Sequence, residues 1–160
     1  MRDQSWMDTL FPKNAERTLP WPELSETVTL YRPVGLRELE LIQELGYQAY
    51  PPRLPDQPIF YPVLNFEYAE EIARDWNTRM NSFSGFVTAF DVPSAYITRY
   101  EIQIVGDRYH QELWIPAEDL EDLNRQILGT IRVLSAYYGE AFQEEINPET
   151  GFPVQIRLNP

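Results

Sequence analysis

The sequence predicts an α+β domain with a largely antiparallel sheet and about three helices. Three observations predict it. Stretches rich in β-branched and aromatic residues cluster in the second half and are separated by short turns. Two stretches before them carry apolar residues at helical spacing. No regular alternation of strand and helix runs through the chain, so a doubly wound parallel sheet is not indicated.

In chain order, residues 1–26 read as an extension to a single domain over 27–160. Pro12, Pro20 and Pro22 interrupt helix there, and Trp6, Phe11, Leu19 and Trp21 follow no sustained period. Docked aromatic anchors (Trp6, Phe11, Trp21) and a flexible tail are both compatible with that pattern. Thr27–Val34 reads as a strand with Pro33 at its end or on an edge. Leu36, Leu39, Ile42 and Leu45 recur at threes, with Arg37, Glu38, Glu40 and Glu44 mostly off the stripe. A helix over 36–45 follows, closed by Gly46. Residues 47–64 hold five prolines in eighteen positions yet stay apolar and aromatic, which describes a stiff loop.

Asn65 predicts the N-cap of a second helix reaching Trp76, with Phe66, Ala69, Ile72, Ala73 and Trp76 inward and Glu67, Glu70, Glu71 and Arg74 in water. Gly85–Val92 and Tyr96–Val105 read as strands. The Gly106-Asp107 turn makes 96–115 an antiparallel hairpin. Pro116 with Glu118 and Asp119 marks the start of a third helix, Gly129 its end, and Thr130–Tyr138 a last strand. A short acidic helix is expected around 140–145.

The chain has no cysteine and one histidine. That removes disulfides, thiol nucleophiles, thiolate metal sites and the two-histidine zinc motif, so no metal is expected. Neither a Gly-x-Gly-x-x-Gly nor a Walker loop occurs. The net charge of −12 argues against DNA or RNA as partner. No apolar run reaches membrane-spanning length, and the start of the sequence lacks a secretion-signal core, so a cytoplasmic protein is expected.

The stretch with most chemistry is Tyr109-His110-Gln111-Glu112-Leu113-Trp114-Ile115-Pro116. Strand alternation places His110, Glu112 and Trp114 on one face and Tyr109, Gln111, Leu113 and Ile115 on the other. A carboxylate between imidazole and indole suits a cleft, and equally a half-exposed strand whose Glu meets water. A glycosidase-type pair of Glu112 with Glu101 or Asp91 is also compatible with the sequence.

Four segments carry a resemblance: Leu30-Tyr31-Arg32-Pro33-Val34-Gly35, Gln57-Pro58-Ile59-Phe60-Tyr61-Pro62-Val63-Leu64-Asn65, Ala73-Arg74-Asp75-Trp76-Asn77, and His110 to Pro116. Over about residues 28–139 the chain resembles a family of short, largely uncharacterised bacterial proteins. More distantly its layout resembles the ADP-ribosyltransferase superfamily. That superfamily places an Arg or His on the first core strand, an aromatic or hydroxyl residue mid-chain and a Glu on a late strand.

The resemblance implies NAD as substrate, Arg32 clamping its phosphates and Tyr61 and Phe60 flanking the nicotinamide. It implies Glu112 as the catalytic carboxylate, with His110 assisting an acceptor. The Ser-Thr-Ser signature of one branch is missing. His110 stands where several toxin branches carry Glu or Gln, which points away from modification of a protein arginine or asparagine. The alternative expectation is a non-catalytic module, or a member that keeps the fold without turnover. Such a module would meet a basic protein through its acidic surface and the Pro-aromatic loop Tyr50–Leu64.

Overall fold

β-Branched and aromatic residues build the three longest strands, and their pairing sets the frame. In the computed structural model, which describes residues 17–158, β1 is Thr18–Leu19, β2 Thr27–Val34, β3 Ile59–Phe60 and β4 Ser84–Pro93. β5 is Ile102–Ile104, β6 Gln111–Leu113, β7 Ile115–Pro116 and β8 Leu128–Tyr138. The helices are α1 (Leu36–Glu44), α2 (Phe66–Asp75), the single turn α3 (Ser94–Ile97) and α4 (Leu120–Gln126).

β2 pairs antiparallel with β4, and β4 with β8. β6 pairs antiparallel with β5, and β5 with β1. Val63 joins the two groups, bridging Tyr31 on one side and Glu112 on the other. The order is therefore β8-β4-β2-(Val63)-β6-β5-β1. The same two segments pair again at β3 and β7. β4 is central and almost wholly buried, as its uninterrupted run Phe86-Val87-Thr88-Ala89-Phe90 requires.

Helices cover both faces. α1 packs Leu36, Leu39 and Ile42 against Leu30, Val34, Phe86 and Phe90 in the larger core. α2 packs Tyr68, Ala69, Ile72 and Ala73 against Val63 and Val87, with Tyr31 at the edge of that smaller core. A Cβ on Gly85 would lie 2.2 Å from the carbonyl oxygen of Ala73, so glycine there lets α2 lie directly on β4.

The strand at 27–34 and the helix starting at Leu36 stand as the sequence predicts. Gly46, at φ 68°, closes α1: its N–H bonds Gln43 O, and the N–H of Tyr47 bonds Ile42 O, the Schellman arrangement. Asn65 caps α2 by accepting from the Tyr68 N–H at 2.8 Å.

Two elements differ. Tyr96–Val105 is not one strand. Ser94–Ile97 forms a helical turn and only Ile102–Ile104 extends. Pro93 ends β4, Ser94 N–H bonds Glu26 O, and Tyr96 and Ile97 are both buried, which a helical turn allows for adjacent residues. No helix forms at 140–145, where Gly139 precedes Glu140 and Glu144 at a repelling i,i+4 spacing.

The third helix starts late because Pro116 is still paired with Ile59 in the β3–β7 ladder. A 3-10 turn over Ala117–Asp119 then leads into α4. The described part of the N-terminal extension belongs to the sheet through β1, and Trp21 Nε1 donates to Tyr100 O at 2.7 Å. Trp6 and Phe11 lie outside the described residues. Among the described residues no helix is long and apolar enough to cross a membrane.

Candidate functional site

Glu112 sits in β6, and its alternation with Leu113 decides its surroundings. Leu113 enters the larger core, so Glu112 turns to the α2 face. It is 0% exposed. Trp114, two residues on, shares that face and donates from Nε1 to Glu112 Oε1 at 2.6 Å. The Tyr68 hydroxyl, reaching from α2, donates to Oε2 at 3.0 Å. Both donors are neutral, and both oxygens are fixed in direction. The Glu that faces water in the half-exposed-strand expectation is instead deeply buried.

Next to it, His110 is also buried. Its Nδ1 accepts from the Asp107 backbone N–H at 3.1 Å, which leaves the ring proton on Nε2, 3.0 Å from Glu71 Oε2. Tyr109 donates its hydroxyl to the other oxygen of Glu71. The ring of Tyr68 lies 4.5 Å from the imidazole, centroid to centroid.

Burial and the nearby carboxylates of Glu112 and Glu71 push the Tyr68 phenol far up, so it stays a protonated donor. Tyr109 is pushed up to about 12, first by its bond to Glu71 and then by burial. The result is a wired chain of Trp114, Glu112 and Tyr68 beside His110, Glu71 and Tyr109.

Arg32 lies elsewhere. Partners directly opposite in an antiparallel ladder share a face. Tyr31, Val63 and Glu112 therefore point one way, and Arg32 points the other, toward α1. Its guanidinium binds Glu38 in a fork, Nε to Oε2 at 2.7 Å and Nη2 to Oε1 at 3.1 Å. It also stacks 4.5 Å over the Phe60 ring, with a long 3.5 Å contact from Nη1 to Tyr61 O. Arg32 is 1% exposed and Glu38 2%.

The structure thus brings Glu112 and His110 to neighbouring positions, and Arg32 and Phe60 to the opposite face. Phe60 and Tyr61 are both buried; Phe60 packs on Tyr50 at 5.2 Å between centroids. The aromatic rings of the Pro-rich loop are core, not contact surface. Asp91 is occupied by Arg132 and Thr29, and Glu101 is exposed.

Three residues of these clusters escape the sequence-based description. Tyr68, Ala69, Ile72 and Ala73 form the buried stripe of α2, an i, i+1, i+4, i+5 pattern legible in the sequence. Tyr68 was available from that count. Glu38 stands four residues before Ile42, the one local sign that it turns inward. Glu71 has no such signal. Among the described residues no group of three His, Cys, Asp or Glu is placed to hold a metal ion. Comparison with family models, with curated proteins and with solved structures finds no match to this chain.

Proposed function

We propose that the protein is an NAD-dependent ADP-ribosyltransferase-like enzyme whose catalytic carboxylate is Glu112. The observation that carries this reading is a fully buried carboxylate whose two oxygens are aimed by the neutral donors Trp114 Nε1 and Tyr68 OH. Trp114 and Tyr68 are uncharged donors, and in a dry site the charge of a carboxylate acts strongly.

In such a reaction the bond between nicotinamide and ribose breaks, and its electron pair leaves with nicotinamide. Positive charge builds on the ribose carbon, where Glu112 stabilises it. An acceptor nucleophile then bonds to that carbon and gives up its proton to solvent water. His110 holds the site's edge through Asp107 and Glu71; to assist an acceptor it would release Glu71. Arg32 would reach a phosphate only by opening its pair with Glu38. As it stands, it fastens the loop at Phe60 and Tyr61 to β2.

The test is nicotinamide release measured with NAD and calorimetric binding of NAD. We expect binding by the wild type and a loss of about 10²–10³-fold in turnover for Glu112→Gln. No binding and no release in the wild type would remove the proposal.

That outcome would leave a second reading, a non-catalytic module for a basic protein. It is favoured by a groove of about 440 Å³ lined by Leu45, Ala49, Pro52 and Leu120, with Glu118 and Glu121 beside them against the single cation Arg53. Leu45, 43% exposed, is the apolar contact it offers.

A further inference from the structure

We infer that β8 is a dimerisation edge: a second copy of this chain adds its own β8 there, antiparallel and about a two-fold axis, so that two sheets run on into one. The inference does not depend on the NAD reading above.

The backbone carries the argument. β8 is an outer strand of the sheet, eleven residues long, and among the described residues its ladder is with β4 alone. Gly139 N–H bonds Phe83 O just past the paired residues Tyr138 and Ser84, which sets the phase of that ladder. In an antiparallel pair, residues that exchange hydrogen bonds alternate with residues that do not. Ser135 and Tyr137 therefore turn their N–H and C=O groups to β4, and Ala136 and Tyr138 turn theirs outward. Beyond the ladder, the β8 backbone makes one hydrogen bond among the described residues, from Ile131 N–H to Tyr47 O. An outward row of donors and acceptors is completed by an extended strand.

The opposite edge of the sheet is blunted. β1 has two residues, and Pro20 follows it. β8 contains no proline, lysine or acidic residue, and its single charge, Arg132, is held by Asp91. Two register shifts interrupt its pairing, at Val87/Thr88 and Ala89/Asp91, and Ser135–Tyr138 beyond them stays regular. Leu134 falls at the first shift, opposite no residue of β4, and is 45% exposed. Tyr137 and Tyr138 flank the regular stretch on opposite faces, their hydroxyls fixed on Glu70 and on Gly151 O.

Charge selects the occupant. The chain carries −12, with 25 Asp and Glu, yet Leu123 to Gly139 holds none of them. An acidic strand is repelled by the protein as a whole, and a basic one meets no carboxylate on β8. A neutral strand fits. β8 is such a strand once Asp91 has taken Arg132, and each of its outward residues offers both a donor and an acceptor. That is the self-complementarity a two-fold contact requires.

The test is sedimentation of the full chain over a dilution series, with amide exchange along β8 followed in the same samples. We expect a species of twice 18.9 kDa that dissociates on dilution. The Ala136 and Tyr138 amides should exchange slowly in the dimer and fast in the monomer, while Tyr137, turned to β4, stays protected in both. Ala136→Pro removes an outward donor and spares the β4 ladder. Because the change occurs in both copies, the dimer should weaken by about 10–100-fold. Leu134→Lys sets a cation on the edge and should weaken it as well.

A wild type still monomeric at about 1 mM overturns the inference. So does a dimer whose Ala136 and Tyr138 amides exchange at one rate before and after dilution, because another surface would then hold it. A dimer equally tight in both variants overturns it too. The exchange measurement needs no substitution, so it decides even where a variant fails to fold.

Discussion

The two faces of the sheet each bury a glutamate, and they hold it in opposite ways. On the α1 face Glu38 meets a guanidinium in a two-bond fork, capped by the Phe60 ring. On the α2 face Glu112 is oriented by an indole N–H and a phenol. The first arrangement neutralises charge and locks β2 to α1 and to the 57–64 loop. The second joins β6 to α2 through two uncharged donors in a place from which water is excluded. Burial alone therefore does not mark a functional carboxylate; the two buried glutamates differ in the chemistry of the donors that hold them.

The sharpest way to break the comparison is to open the fastening. Glu38→Leu leaves the buried Arg32 facing an apolar side chain and should cost about 3–5 kcal/mol in urea unfolding. The double variant Arg32→Met with Glu38→Leu should recover most of that loss, because two charges no longer need desolvation. A double variant as unstable as the single one would show that Arg32 holds the loop by more than its pair with Glu38.

A smaller effect is expected on the other face. Tyr68→Phe keeps the ring in its packing and removes only the hydroxyl that donates to Glu112. The loss should be about 1.5–3 kcal/mol, the range for a hydrogen bond to a charged group. The same variant should also slow nicotinamide release if Glu112 is the catalytic group. Stability lost with no change in release would put Tyr68 in a structural role only.

The mildest test is pH. Tyr68, Tyr109 and Tyr138 all have phenols raised by the fold, the last two to about 12. A raised folded-state value means that the folded protein holds the proton more tightly than the unfolded chain. Their contribution is then complete below pH 10, the unfolded value, and is lost as pH rises through the folded values. Melting temperature should be insensitive to these groups below pH 10 and fall between about pH 10 and 12 and beyond. In Tyr68→Phe the fall should be shallower. An identical alkaline profile would show that Tyr68 does not titrate with unfolding.

Much of the local structure was legible because its causes are local. Asn65 caps α2 through an oxygen that reaches three residues along the chain. Gly46 closes α1 because it accepts a positive φ. The period of two in a strand put Glu112 and Trp114 on one face, and their hydrogen bond follows from it. The strand at 96–105 was misplaced for the opposite reason. Its β-branched and aromatic residues express only a weak preference, and packing beside β4 favoured a helical turn.

What the sequence determined by itself was the α+β class, the caps, the alternation within β6, and the chemistry excluded by the absence of cysteine and a second histidine. The tertiary structure alone decided which residues meet. Val63 enters between β2 and β6, a pairing between segments far apart in the chain, and it sets Arg32 and Glu112 on opposite faces. The rotation of α1 delivers Glu38 to Arg32, and that of α2 delivers Tyr68 to Glu112. Periodicity fixes a side chain's direction within its own element. It carries no information about which other element arrives on that side, because register and helix rotation are settled by burial summed over the whole core.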